Sequence, residues 1–351
     1  MSSGSSWLSQ SFEVEMPHMA PGEKLCEVEF LKWIAAYQWR ASAVALGTQP
    51  RDITNQKGDR LYGSVIDFEL DFGPGSGPDH LCEGAQVHVR NRIHFYANRF
   101  AEGLFVFGDR EIPEEALSAI KTRSDLAASG LPWACMTNAF IARGGANTQL
   151  AVHAPAGIED AAIEPMKRAP DGMSIHQEAQ STGHLQEFDG PPGRRLRLLT
   201  REPVRYKILR EADLNGASLV YFARYLAMAN YGERHLLGDH LELPLSADLV
   251  GCLSTEHRKI VYFGNAPPSD TVEISTEVRL LLPEDFAAPA EKVRWRTPLK
   301  LVFRHDLRRA SDKVLMASTL VRKALNIPPD KKAILREADR FLAQLAGQEQ
   351  P

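Results

Sequence analysis

Apolar and polar residues recur along this chain with two periods, and the switch between them comes twice in the same order. Residues 10–16 alternate weakly, as a short strand does, and Pro17 to Gly22 is turn material. From Glu23 to about Val44 the apolar residues Leu25, Val28, Leu31, Ile34 and Ala35 recur at helical spacing. Trp33, Tyr37 and Trp39 add apolar surface on other faces, so this helix is expected to be buried. Leu61 to Phe72 alternates as a strand, residues 73–78 (GPGSGP) read as a loop, and strands follow near 86–96, 102–107 and 133–142. A short helix is expected from Pro113 to Arg123. After a Pro- and Gly-rich stretch the order repeats. Val204 to Leu209 is a strand, Asp213-Leu214-Asn215-Gly216 a turn that caps a helix from about Ala217 to Tyr231. Strands near 258–264, 271–281, 297–306 and 313–325 come next, then an amphipathic helix at about 330–346.

The two series superpose without a gap at a displacement of 194 positions, laying Phe12–Phe68 over Tyr206–Tyr262. Gly22 meets Gly216, Leu25 meets Leu219, Tyr37 meets Tyr231, Ile66 meets Ile260 and Phe68 meets Tyr262. A constant offset and a shared order of elements indicate an internal duplication, which fixes architecture before any single motif does. One long helix followed by long antiparallel strands, twice over, predicts an α+β tandem double hot-dog, each half a helix wrapped by a curved antiparallel sheet. The divisions expected are 1–153, an inter-domain connection at 154–202 carrying one short helix near 159–168, and 203–351.

Bulk properties narrow the partners. The 351 residues are 44% hydrophobic and 25% charged with a net charge of −4, which gives no general attraction to nucleic acid or anionic membranes. The first eight residues carry neither a basic nor an apolar signal region, and no apolar run approaches a membrane span, so a cytoplasmic protein is expected. Cys26, Cys82, Cys135 and Cys252 are scattered without a C-x-x-C pair, as reduced thiols would be. The closest histidine pair, His235 and His240, is not spaced for one helical face, and no H-E-x-x-H, P-loop, G-x-G-x-x-G after a strand or G-x-S-x-G occurs. No metal and no cofactor are expected.

Candidate chemistry gathers at the two helix starts. First-turn N–H groups form a ready site for a developing negative charge, here near Gly22 to Leu25 and near Gly216 to Leu219. The glycines either let a substrate approach the backbone or simply make turns. Tyr62 opens the first long strand, pointing at the helix or out to solvent, and its counterpart in the second copy is Glu256. That fits one working site and one degenerate site. His18 precedes the first helix; it either acts on a bound thioester or is satisfied by backbone. Tyr221 reads as core, and Glu233 as either buried and functional or the solvated end of a helix. The basic run Arg194-Arg195-Leu196-Arg197 is a solvated face or a contact for an acidic carrier protein or a coenzyme A phosphate.

The segments MPHMAPGEKLCEVEFLKW, GDRLYGSVIDFELDF, WACMTNAFIARGGANTQL and DLNGASLVYFARYLAMANYGER together resemble the LnmK-type bifunctional acyltransferase/decarboxylases of polyketide biosynthesis, over about residues 12–325. The resemblance implies a double hot-dog that takes methylmalonyl-CoA, loses carbon dioxide and hands propionyl to the phosphopantetheine arm of an acyl carrier protein. It places the family's active-site tyrosine on Tyr62, with His18, Gly22, Asn215, Gly216, Tyr221 and Phe222 around the substrate. The partners implied are acyl-CoA and the phosphopantetheinylated carrier, with no nucleic acid or membrane and with homodimerisation left open. Coenzyme A enters as substrate. A hot-dog thioesterase or dehydratase is the alternative enzyme. It would want a carboxylate or a His–Asp/Glu pair at a helix start, for which His18 with Glu23 or Asp213 are the sequence candidates. A catalytically dead acyl-binding or scaffold protein is the non-enzymatic alternative.

Overall fold

The computed structural model describes residues 7–73, 77–143, 150–163, 165–186, 195–199, 202–239, 245–281 and 299–347. The loop 73–78, the run Arg194–Arg197 and His240 lie wholly or partly outside these. The first half contains strands β1 (Leu8–Glu13), β2 (Met19–Ala20), β3 (Lys24–Leu25), β4 (Leu61–Asp71), β5 (Gln86–Tyr96), β6 (Phe100–Gly108), β7 (Trp133–Arg143) and β8 (Leu150–Val152). Its helices are α1 (Glu27–Ala45), α2 (Glu114–Leu117) and α3 (Arg123–Ala128). Helix α4 (Asp171–Thr182) and strand β9 (Arg195–Leu199) follow. The second half has β10 (Val204–Lys207), β11 (Leu253–Tyr262), β12 (Thr271–Leu281), β13 (Leu299–Arg309) and β14 (Leu315–Leu325). With these come helices α5 (Arg210–Asp213), α6 (Arg224–Asp239), α7 (Ala247–Gly251) and α8 (Lys332–Gly347).

Ten strands form one continuous path, β1-β5-β6-β7-β4-β11-β14-β13-β12-β10, with β8 beside β7 and β9 beside β12. The order is a palindrome about the β4–β11 junction. At that junction the antiparallel register pairs Asp67 with Val261, the residue 194 positions further on. The sequence repeat and the local two-fold of the sheet are therefore one symmetry, seen once along the chain and once in space. The protein is a tandem double hot-dog.

Each half wraps its sheet around one helix, α1 against β5 and β6 and α6 against β12 and β13. Helix α1 buries Phe30, Leu31, Ile34, Tyr37 and Ala41 on several faces, as its surrounding aromatics predicted. The core runs through the seam, since Phe68, Leu70 and Phe107 from the first half share a cluster with Leu226, Ile260 and Ile274 from the second. One buried amide uses both of its N–H donors: Gln38 Nε2 donates to the carbonyls of Ala101 at 3.2 Å and Met136 at 3.1 Å.

Both long helices begin later than their apolar periodicity indicates. Residues 19–25 form the small β2–β3 hairpin, turning at Gly22 with φ +94° and Glu23 with φ +56°. Lys24 Nζ holds this hairpin against the second half, donating to the carbonyls of Gly251 at 2.9 Å and Leu253 at 2.6 Å. Helix α1 therefore starts at Glu27. Ahead of α6, Asn215 Oδ1 accepts from the N–H groups of Ala217 at 2.9 Å and Leu219 at 3.1 Å, closing a loop with Ser218 at φ +58°. Asp213 and Asn215 thus shape a loop, and the helix waits until Arg224.

Two further expectations change. The helix expected over Pro113–Arg123 splits into α2 and α3, because Thr122 and Asp125 form a reciprocal cap that starts a new helix. The helix expected near 159–168 is a single 3-10 turn at Ile158–Asp160, and the real helix is α4, beginning after Pro170. Helix α4 packs across β4, β7 and β11, so this stretch covers the outer face of the seam.

Helix α6 touches β12 through a glycine. A Cβ at Gly232 would lie 2.7 Å from both Ile274 Cγ2 and Thr276 Oγ1, whereas one at Gly238 of the same helix meets nothing within 4 Å. Gly232→Ala should cost about 1–3 kcal/mol by overpacking, while Gly238→Ala should not lower stability. Urea unfolding of both variants checks this; equal behaviour would contradict the close approach.

Candidate functional site

Two places in a double hot-dog are equivalent by the repeat, namely the start of each long helix where it meets the other half. They have diverged here. At the start of α1, Glu27 forms an ion pair across the seam with Arg258 of β11, whose Nη2 lies 2.7 Å from Glu27 Oε2. Their counterparts at the start of α6 are Tyr221 and Ser64, which carry no charge.

The α1 end gathers a buried polar set. Arg258 is fully buried and also donates to Asn230 Oδ1 of α6 at 3.3 Å. Glu233, two-thirds of the way along α6, accepts from Lys323 of β14 at 2.7 Å. His305 of β13, also fully buried, has Nδ1 3.0 Å from Thr276 Oγ1 and Nε2 4.0 Å from Glu233 Oε2. Burial pushes the Glu27 carboxyl up, but Arg258 and Lys323 outweigh this and hold it below its ordinary value. Burial, with Arg258 and Lys323 nearby, holds the His305 imidazole well below its ordinary range, so it is neutral at pH 7.

A chamber of about 120 Å³ opens beside this set, lined by Cys26, Glu27, Asn230, Glu233, Thr255 and Lys323 among others. An outer cavity of about 630 Å³ shares Pro21 and Gly251 with it, and is lined by Gly22, Cys252, Ile327, Pro328 and Lys331. Chemically, the inner chamber offers carboxylates, an ammonium, an amide and a hydroxyl at the positive end of a 19-residue helix. Among the described residues no cluster of metal-ligand type occurs, and no helix is long and apolar enough to cross a membrane.

The residues singled out from the sequence do not converge on this chamber. Tyr62 faces away from α1: Leu61 before it packs on Ala41 and Ala43, and Gly63 after it lies against Trp39. Its ring packs instead with Ala139, Ile141, Ala217 and Leu219, so it meets the loop that precedes α6 in the other half. The Arg60 guanidinium sits over that ring at 5.2 Å. Asn215 and Gly216 are exposed in the same loop, with the Asn215 side chain already engaged by Ala217 and Leu219. Tyr221 and Phe222 stack edge to face at 4.8 Å on the shared core. Burial, with Glu29 nearby, pushes the Tyr221 hydroxyl up to about 12. His18 is held locally, Nδ1 accepting from the Glu15 N–H at 3.1 Å and its ring packing on Trp33. Gly22 lines the outer cavity. The structure therefore brings Tyr62 to the 215–219 loop and puts Gly22 and His18 at the other helix start, where the His18 carbonyl accepts from the Cys26 N–H at 2.8 Å.

Sequence reasoning missed Arg258, Lys323 and His305, although a signal existed. On β11, β14 and β13 they occupy the inward phase shared with Ile260, Val321 and Phe303, where an apolar residue is the rule. An ionisable residue in the buried phase of three adjacent strands is the pattern to look for.

A second buried polar set lies on the outer face, under α3 and α4. Arg123 donates from Nε to Glu69 and from Nη1 to Asp67, both at 2.7 Å, and His257 Nε2 lies 2.7 Å from Glu69. A Cβ at Gly172 would lie 1.8 Å from Asp67 Oδ1, so α4 begins directly on that carboxylate. These contacts anchor helices to the seam. Nearby Glu102 is 2% exposed, and burial, aided by Asp67 and Asp171 and opposed by Arg123, pushes its carboxyl up to about 7.

Two measurements follow from these sets. Arg258→Met alone should cost about 3–5 kcal/mol because it strands the Glu27 carboxylate, and Glu27→Leu added to it should recover most of the loss. Urea unfolding of the single and double variants decides; additive losses would contradict the pairing. For Glu102 the folded state holds a proton that the unfolded state releases above about pH 4.5. Its contribution to stability therefore falls as pH rises from about 4.5 through 7. Glu102→Gln should match wild type at pH 4 and exceed it at pH 8; a stability profile unchanged in slope would contradict the buried proton.

No family model matches the sequence, and neither does any curated protein. Solved structures do match. One is a protein assigned as an oleoyl thioesterase from Lactobacillus plantarum, 13% identical, with a TM-score of 0.56 over 92% of this chain and 98% of that one. Another is an acyl-ACP thioesterase from Bacteroides thetaiotaomicron, 11% identical, with a TM-score of 0.50 over 92% of this chain and 100% of that one. Likeness at this level of identity extends to the fold: this chain shares the double hot-dog architecture along nearly its whole length.

Proposed function

We propose that this chain is an enzyme of acyl thioesters, working where a hot-dog helix of one half meets the sheet of the other. The observation that carries this reading is a pair of neighbouring cavities near the start of α1, a polar chamber of about 120 Å³ and a larger one of about 630 Å³ that share Pro21 and Gly251 in their walls. That shape suits a thin arm that delivers a small reacting group to fixed dipoles, and a helix N-terminus stabilises the negative oxygen that thioester chemistry creates. The oleoyl and acyl-ACP thioesterases of the same fold lend the substrate class.

The finer reading is the acyltransferase/decarboxylase one. Methylmalonyl-CoA would lose carbon dioxide, and propionyl would pass to the phosphopantetheine arm of an acyl carrier protein. Its support is the sequence resemblance and the setting of Tyr62, a phenol at the seam against Ala217 and Leu219. Loss of carbon dioxide leaves an enolate, so the site must stabilise the thioester oxygen, and the α-carbon then takes one proton from solvent water to give the propionyl group. A phenol against an apolar wall of this kind fits that demand. The thioesterase reading stands beside it, favoured by the Glu233, Lys323 and His305 set at the start of α1. That set is the carboxylate–imidazole pair that hydrolysis wants, found on residues other than His18, Glu23 and Asp213.

Mass spectrometry of wild type and Tyr62→Phe with methylmalonyl-CoA, with and without an acyl carrier protein, separates these readings. The acyltransferase/decarboxylase reading expects carbon dioxide loss and propionyl on the carrier, with the mutant at least about 100-fold slower. Free acid and coenzyme A without carbon dioxide, unaffected by the mutation, would replace it with the thioesterase reading.

A further inference from the structure

Five charged side chains line the chamber at the start of α1, and four of them are engaged. Glu27 pairs with Arg258 and Glu233 with Lys323, both at 2.7 Å. Lys24 donates to the carbonyls of Gly251 and Leu253 and lies 3.6 Å from Asp79. The fifth is Arg234. It is exposed, so it reaches the chamber from the solvent side. Among the described residues its guanidinium has no hydrogen bond, ion pair or ring contact. Asn230, Glu233 and Arg234 stand at i, i+3 and i+4, so one face of α6 meets the chamber. Each acid there is balanced by a base, Glu27 by Arg258, Glu233 by Lys323 and Asp79 by Lys24. The Arg234 charge is left over, and the chamber is positive by that one charge.

The repeat shows that this freedom arose by divergence. Arg234 and Tyr231 are the counterparts, 194 positions on, of Arg40 and Tyr37. In the first half the Arg40 guanidinium sits over the Tyr37 ring at 5.9 Å. In the second half the Tyr231 ring stacks on His235 at 6.4 Å and meets the Tyr206 ring edge on at 5.6 Å. His235 stands where the first half has Ala41. The tyrosine that holds the first arginine is therefore taken up in the second copy, and Arg234 is left available to a ligand.

We propose that Arg234 binds an anionic group of the acyl thioester, either a carboxylate on the acyl chain or a phosphate on the arm that carries it. This rests on the acyl-thioester reading and adds the residue that selects for charge. A guanidinium presents its N–H donors as a planar fork that matches two oxygens of a carboxylate or phosphate, and it stays charged at any working pH. A ligand with one negative charge cancels the surplus of the chamber, and a neutral one does not. The contact is the same before and during reaction, so it acts on binding and not on the rate of the bound complex.

The test measures thiol release by the full chain from acetyl, octanoyl, malonyl and methylmalonyl groups, each carried on coenzyme A, on pantetheine and on an acyl carrier protein. Arg234→Met should raise KM about tenfold for substrates bearing the recognised group, with kcat within about threefold of wild type. A rise on coenzyme A and the carrier protein but not on pantetheine identifies the phosphate of the arm. A rise for malonyl and methylmalonyl on all three carriers, but not for acetyl and octanoyl, identifies the acyl carboxylate. Arg234→Lys, which keeps the charge and loses the fork, should fall between the two. Arg40→Met, the equivalent change in the first half, should leave KM as it is; an equal rise there would show a general charge effect and overturn the assignment. In Arg234→Met, KM within about twofold of wild type on every substrate, or a loss of kcat without a rise in KM, overturns the assignment and leaves the acyl-thioester reading standing. An equal rise for acetyl-pantetheine, which bears no negative charge, also overturns it. No release by wild type from any substrate overturns both.

Discussion

The antiparallel pairing of β4 with β11 is the constraint on which the rest of this molecule depends. It joins the two halves into one twelve-stranded sheet, and its register places Asp67 against Val261, its own counterpart in the repeat. A shift of one residue would turn Phe68 and Ile260 out of the shared core and Lys259 into it. The same register delivers Arg258 from one half to Glu27 of the other, and sets Tyr62 against the loop before α6. Both candidate sites are thus consequences of one strand pair.

Symmetry created two equivalent positions, and divergence gave them different physics. One holds charges in balance: Glu27 with Arg258, and Glu233 with Lys323, of which Arg258, Glu233 and Lys323 are buried. Such groups are costly unless each is matched, and a chain that kept them for stability alone could use apolar residues instead. Glu27, Glu233 and Lys323 line the inner chamber at the start of α1. The other position is apolar around Tyr62, with backbone donors of the 215–219 loop satisfied by Asn215.

Most of the architecture was legible in the sequence because it rests on periodicity. Strands β5 and β12 fall where alternation puts them, and the 194-residue displacement carries β4 onto β11. Helix starts were not legible in the same way. Leu25 fits the helical period yet lies in a hairpin fixed by Lys24 reaching carbonyls about 230 residues away, which no local pattern encodes. Leu219 and Val220 likewise fit the period of α6, but Asn215 closes a loop around them. Helix α4 was misplaced because its start is set by Asp67 from a distant strand meeting Gly172. At the candidate site, Glu233 could be read only as one of two things until His305 and Lys323 were seen beside it. Long-range pairing of this kind is tertiary, so it leaves in a single sequence only the faint trace of a charge in an apolar phase.

The central claim is that this double hot-dog turns over acyl thioesters. The most direct measurement is release of free thiol and acyl product, read by mass spectrometry, when the wild-type chain meets coenzyme A and carrier-bound thioesters from acetyl to octanoyl, malonyl and methylmalonyl included. The account predicts enzyme-dependent release or transfer for at least one of them, saturating with substrate. Rates indistinguishable from the uncatalysed reaction across all of them would contradict it.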